Sequence, residues 1–144
     1  MIQEEKDGTV ASIKNDSSPS TCFACGPDNQ RGLHLEFKMN ENEEMVADWT
    51  PDLDLEGYPG VIHGGVISTV LDEAMAKIVA AKGARALTAD LRVRFRRTIA
   101  SNERVAIHGW IASSNRRMIL AEAKLTAADG SELAHGWGTF LRSK

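Results

Sequence analysis

In "GVIHGGVISTVLDEAM", Gly60 to Met75, a histidine and two glycines precede an apolar run that is interrupted by two acids, Asp72 and Glu73. On a helical wheel Ser68, Asp72 and Ala76 share one i, i+4 row, with Thr69 and Ala80 beside them. Small side chains let another backbone or a ligand approach closely. An acid facing such a gap is partly desolvated, which raises its pKa towards the range of a general base. Glu73 lies about 100° further round the helix and four residues before Lys77, the favourable order for a surface ion pair. At the start of the run, Gly64 and Gly65 carry no Cβ, so their N–H groups are open to a ligand at the positive end of the helix dipole. Such donors suit a carbonyl oxygen that becomes an oxyanion. Gly64 and Asp72 stand about two turns apart, on the order of 12 Å, too far to meet on one carbonyl. A twofold homodimer solves the spacing by setting the glycine end of one helix beside the Asp72 of another.

The elements that would hold these groups follow from periodicity. Val66, Ile67, Val70, Leu71, Ala74, Met75 and Ile78 form one broad apolar side, which predicts a helix over 66–82 with that side in the core. Alternation in "LHLEFKM" predicts a strand over 33–39, turned by "NENE" into a hairpin partner, "MVADWT". "PDLDLEGYPG", 51–60, is rich in proline, glycine and acid and reads as a loop. After the helix come "LTADLRVRFRR", "RVAIHGWIAS", "MILAEAKLTA" and "ELAHGWGTFL", each strand-like. Their short separators favour antiparallel neighbours, hence a four-stranded meander. The expected class is α+β, one helix burying a face against an antiparallel sheet.

The chain has 144 residues, 42% of them hydrophobic, and a formal net charge of −3. That supports one core and gives no reason to expect nucleic acid as a partner. Residues 1–20 have no sustained apolar period and read as a loosely held arm; the domain is expected over 21–144, with regular order beginning near Leu33. No apolar run nears the ~20 residues that span a bilayer, and "MIQEEKDGTV" is too polar for a signal peptide, so no membrane association and a cytoplasmic location are expected. Cys22 and Cys25 form a single C-x-x-C without a second half of a zinc site, so structural or incidental thiols are expected and no metal or cofactor. His34, His108 and His135 sit in strand patterns and read as packed or hydrogen-bonded histidines rather than ligands. In "RVRFRR", Arg92, Arg94 and Arg96 share a strand face opposite Val93 and Phe95: either a solvated outer face or an anion site.

"CFACGPDNQRGL", "GYPGVIHGGVISTVLDEAM", "LTADLRVRFRR" and "DGSELAHGWGTF" together resemble the hotdog-fold acyl-CoA thioesterases, in particular their phenylacetate-degradation-type branch. The resemblance implies a curled antiparallel sheet of five to six strands around the long helix, dimers or tetramers, and hydrolysis of an acyl-CoA to acid and CoA. It places Asp72 as the base or nucleophile and Gly64 as the carbonyl-polarising N–H, with His63 before it, Gly65 completing the turn, and Thr88 as a hydroxyl that helps to hold water. Where some relatives carry Asn or Gln upstream of the histidine, this chain has Gly57, and "RRP" is replaced by "RRT" with Thr98. Arg92, Arg94, Arg96 and Arg97, or Arg116 and Arg117, are candidates to hold CoA phosphates. The competing readings are a hydratase or dehydratase on the same fold, a non-catalytic acyl-CoA-binding module, and a metal-binding protein built on the C-x-x-C.

Overall fold

The computed structural model describes residues 20–143; the arm expected over 1–20 falls, but for residue 20, outside them. The apolar side predicted for the helix drives one helix, α1 (Gly64–Ala81), into a sheet of six strands. These are β1 (Lys38–Met39), β2 (Met45–Trp49), β3 (Ala86–Phe95), β4 (Val105–Ser114), β5 (Met118–Thr126) and β6 (Glu132–Arg142). All pairings are antiparallel, in the order β1-β2-β4-β5-β6-β3. Strands β2 to β6 all contact the helix, which is the hotdog arrangement the resemblance implied. Among the described residues no helix is long and apolar enough to cross a membrane.

The helix buries Ile67, Val70, Leu71, Ala74, Met75, Ile78 and Val79, so the predicted stripe holds except that Val66 is half-buried and Val79 replaces it. Opposite them lie Val105 and Ile107 of β4, Ile119, Ala121, Ala123 and Leu125 of β5, and Leu133 and Phe140 of β6. Burying one large apolar side chain of this kind is worth roughly 1.5–3 kcal/mol. Close approach is set by glycine: a Cβ on Gly109 would lie 2.7 Å from the Ala74 carbonyl oxygen, and one on Gly138 3.0 Å from Met75 Sδ. The helix backbone therefore sits directly on β4.

Two expectations are corrected. The last four strands are not a simple meander: β4, β5 and β6 follow one another, but β3 lies at the far edge, paired to β6. The segment between β3 and β4 is a crossing rather than a turn. Fully buried Ile99 anchors it, its carbonyl accepting from Ile62 N–H at 2.9 Å, and Asn102 N–H donates to the Pro51 carbonyl. The strand expected over 33–39 is reduced to Lys38–Met39. His34 takes φ 54°, and Leu33 and Leu35 donate to the Phe23 and Ala24 carbonyls, so this stretch pairs with the cysteine turn. Ala24 and Leu35 are both buried, which carries the packed core N-terminal of Leu33.

Candidate active site

Asp72 emerges from the middle of α1 on the small-residue row and points at β3, where Thr88 Oγ1 donates to its Oδ1 at 2.7 Å. A bulge makes this possible. Thr88 pairs with Phe140 and Asp90 with Thr139, leaving Ala89 as an extra residue. Strict alternation would put Thr88 on the same face as Asp90; the extra residue turns it to the side of buried Phe140, where the helix lies. Asp72 is half-buried, and burial pushes its carboxyl above the ordinary aspartate value of 3.8, opposed in part by the Thr88 hydroxyl. The other small residues of the row hold their own helix: Ser68 donates to the Gly64 carbonyl and Thr69 to the Gly65 carbonyl, both at 3.0 Å.

At the helix start His63 is the N-cap, with extended backbone, and its Nδ1 accepts from Gly65 N–H at 2.8 Å. Of the two glycine donors expected to be open, Gly65 is therefore taken by the histidine. Gly64 N–H has no partner among the described residues, and a Cβ on Gly64 would touch the Phe95 ring at 3.4 Å. Gly57 packs against His63, where a Cβ would lie 3.3 Å from the ring, so glycine at this position makes room for the histidine. Gly57, Tyr58, Val61, Ile62, His63 and Gly64 line an apolar groove of about 510 Å³, with Tyr58 at its exposed rim.

The arginines do not converge. Arg96 pairs with Glu132 and Arg97 with Glu103. Arg92 lies over the Trp137 ring at 4.7 Å on the sheet face away from the helix. Arg94 shares that outer face, opposite His135, and has no ionic partner among the described residues. Arg116 and Arg117 stand on the β4–β5 turn, and the Arg117 carbonyl accepts from Arg142 N–H. His135 is a packed histidine as expected, held between Glu122 and Glu132 at 2.9 Å each.

One cluster was not legible in the sequence. The Cys22 and Cys25 sulfurs and the Glu73 carboxylate lie within 4.8 Å of one another. Burial and the nearby Glu73 push the Cys25 thiol up to about 12, so it is no ready nucleophile. Lys77 stands 4.0 Å from Glu73, the i, i+4 pair expected from spacing. The sole signal in the sequence, the C-x-x-C, lacks any sign that α1 supplies its third member.

Residues 59–134 match the model of the Thioesterase superfamily, more than half of the chain, and the chain belongs to that superfamily. It is 25% identical over 127 residues to the acyl-coenzyme A thioesterase THEM4 of Bos taurus, covering 87% of this chain and 52% of that protein. The chain thus spans about half the length of the curated relatives it matches. Its fold superposes on a crystal structure of a thioesterase superfamily protein with a TM-score of 0.79 at 24% identity, over 86% of this chain and 63% of that one. A hypothetical thioesterase from Streptococcus pneumoniae, solved with coenzyme A, gives a TM-score of 0.71 at 16% identity, over 76% of this chain and 85% of that one.

Proposed function

We propose that this chain hydrolyses acyl-CoA thioesters, in the manner of the phenylacetate-degradation-type branch, at a site shared by two copies of itself. The observation that carries the proposal is the pair Asp72–Thr88: a half-buried carboxylate on a small-residue helix face, oriented through one oxygen by a hydroxyl at 2.7 Å. The second oxygen is left to take a proton from water or to attack the thioester carbon itself. A thioester carbonyl gains little resonance from sulfur and its thiolate leaves readily, so a base or nucleophile and an oxyanion donor are enough. Water adds to the acyl carbon, the C–S bond breaks, and the products are the carboxylic acid and free CoA.

Two copies complete the site. β3 is a ten-residue edge strand, exposed along most of its length, with Leu91 36% and Phe95 52% exposed on the helix side. Such an edge invites pairing with another strand. Antiparallel pairing of two β3 strands about a twofold near Leu91 sets the Thr88 end of one copy beside the Phe95 end of the other. The Phe95 ring lies beside Gly64, 3.4 Å from where a Cβ would stand, so the unpartnered Gly64 N–H of one copy approaches the Asp72 of its mate and polarises the carbonyl. His63, accepting from Gly65 on Nδ1, fixes the helix start and keeps Nε2 as its remaining donor. Arg94, Arg116 and Arg117, without carboxylate partners among the described residues, are the arginines offered to CoA phosphates. That the Streptococcus pneumoniae relative was solved with coenzyme A supports the same ligand here.

The test is thiol release across short, medium, long and aromatic acyl-CoAs, with wild type and Asp72→Asn side by side. Turnover by wild type, lost by at least about 100-fold in kcat in the folded variant, supports the assignment. Equal rates place the chemistry elsewhere, and binding of acyl-CoA without turnover favours a binding module.

A further inference from the structure

The cysteine turn is more tightly built than a surface connection requires. Gly26 N–H donates to the Cys22 carbonyl and Asp28 N–H to the Ser20 carbonyl, both at 2.8 Å. A Cβ on Gly26 would lie 2.3 Å from Cys22 N and 2.4 Å from the Ser20 oxygen, so the turn closes only with glycine there. Behind it the Leu33 and Leu35 N–H groups donate to the Phe23 and Ala24 carbonyls, and Ala24 is buried. This fixed turn presents both sulfurs, half-buried, to Glu73 of α1.

We infer that Cys22, Cys25 and Glu73 form a zinc site that fastens the N-terminal turn to the central helix. Ligands of a tetrahedral zinc, ~2.3 Å away for sulfur and ~2.0 Å for oxygen, lie roughly 3.5–3.8 Å from one another. The three ligand atoms here, all within 4.8 Å, need only a small contraction. Two sulfurs with one carboxylate favour zinc over magnesium or calcium, which prefer all-oxygen sets. On binding, each thiol gives up its proton to solvent as its sulfur bonds to the metal. Two thiolates and one carboxylate around a divalent ion leave a single negative charge, and Lys77 stands beside Glu73 to balance it. The fourth corner is left to water. The site is separate from the proposed catalytic acid: Glu73 points about 100° away from Asp72 round the helix.

The test uses the full chain with its thiols kept reduced, stripped by a chelator and titrated with zinc or cobalt(II). The expected result is one metal per chain, a thiolate-to-cobalt charge-transfer band in the near ultraviolet, and a zinc-dependent rise in Tm. Removing an outer-shell partner already costs about 10–100-fold in affinity, so Glu73→Gln should lose at least about 100-fold by chelator competition. Cys22→Ser with Cys25→Ser should lose the band and the metal together. A cobalt spectrum without the thiolate band overturns the inference. So do full zinc retention in the double variant, a Cys22–Cys25 disulfide in protein isolated away from air, and thiols that react equally fast with and without zinc. Should the double variant fail to fold, the wild-type cobalt spectrum and Glu73→Gln still decide.

Discussion

Asp72 and Glu73 are neighbours in one turn of one helix and chemically near twins, yet the fold gives them unlike surroundings. Asp72 meets the edge strand, where its partner is a single neutral hydroxyl and burial penalises its charge. Glu73 meets the cysteine turn and Lys77, where cationic compensation is at hand. An acid with one hydroxyl and a raised pKa retains reactivity towards a proton; an acid among thiols and an ammonium is suited to holding something in place. The helix supplies both carboxylates, and the elements packed on either side of it decide which of them can do chemistry.

The largest effect is expected at Asp72. Asp72→Asn should lower kcat for thiol release by at least about 100-fold while the circular dichroism spectrum is kept. The same change should stabilise the protein at neutral pH. Burial raises the native pKa of Asp72 above the ordinary 3.8, so between the two values the native state binds more protons than the unfolded chain. Stability conferred by wild type then falls as pH rises through that window and stays low above it. Asparagine removes the penalty: its Tm should exceed that of wild type at pH 7, and the advantage should vanish below the unfolded value. A lower Tm at pH 7 would show that the carboxylate is compensated after all.

The next effect in size concerns what stands opposite Asp72. If its second neighbour is another copy of the chain, Leu91→Arg on the exposed helix side of β3 places charge where two strands must pair. Light scattering should then report monomer in place of dimer, and thiol release should fall with the loss of the second Gly64 even though Asp72 and Thr88 are intact. Dimer mass unchanged by Leu91→Arg would move the interface off this edge.

Sequence legibility divides along the same line. The positions of Asp72, Gly64 and the apolar stripe of α1 were legible because they lie within one helix, where spacing translates directly into geometry, whereas His63, the cap just before it, came from resemblance. Thr88 came from resemblance alone; its aim at Asp72 depends on a bulge at Ala89, and alternation would have pointed it outward. Gly65 was expected to donate to a ligand, but the capping histidine two residues earlier takes its N–H. The arginine run looked like one patch in sequence, yet Glu103 and Glu132, brought from other segments, engage two of its members. The place of β3 at the far edge was hidden because the short stretch after it gives no hint that buried Ile99 pins it across the end of the sheet. Except for the local cap at Gly65, long-range pairing, not local pattern, determined these.

Thr88 offers a finer probe of the Asp72 side. Its hydroxyl lowers the carboxyl pKa against the larger upward effect of burial, so Thr88→Val should move the acid limb of the kcat/KM profile to higher pH. Loss of a hydrogen bond to a charged group should also cost about tenfold in kcat/KM on the plateau. A limb that moves to lower pH, or stays put while the rate falls, would mean that the hydroxyl serves water or substrate rather than the acid.

The smallest effect belongs to the other carboxylate. In metal-free protein Glu73 has its ion pair with Lys77 at 4.0 Å and its thiol neighbours. Glu73→Gln should then change unfolding free energy by about 0.2–0.5 kcal/mol, the scale of an i, i+4 pair, and thiol release should fall by no more than about threefold, because its side chain leaves the helix about 100° from Asp72. Denaturant melts and initial rates on the same stripped preparation separate the two quantities. A loss in kcat approaching that of Asp72→Asn would mean that the two acids act as a pair, and that the division between a reactive side and a fastening side of α1 is false.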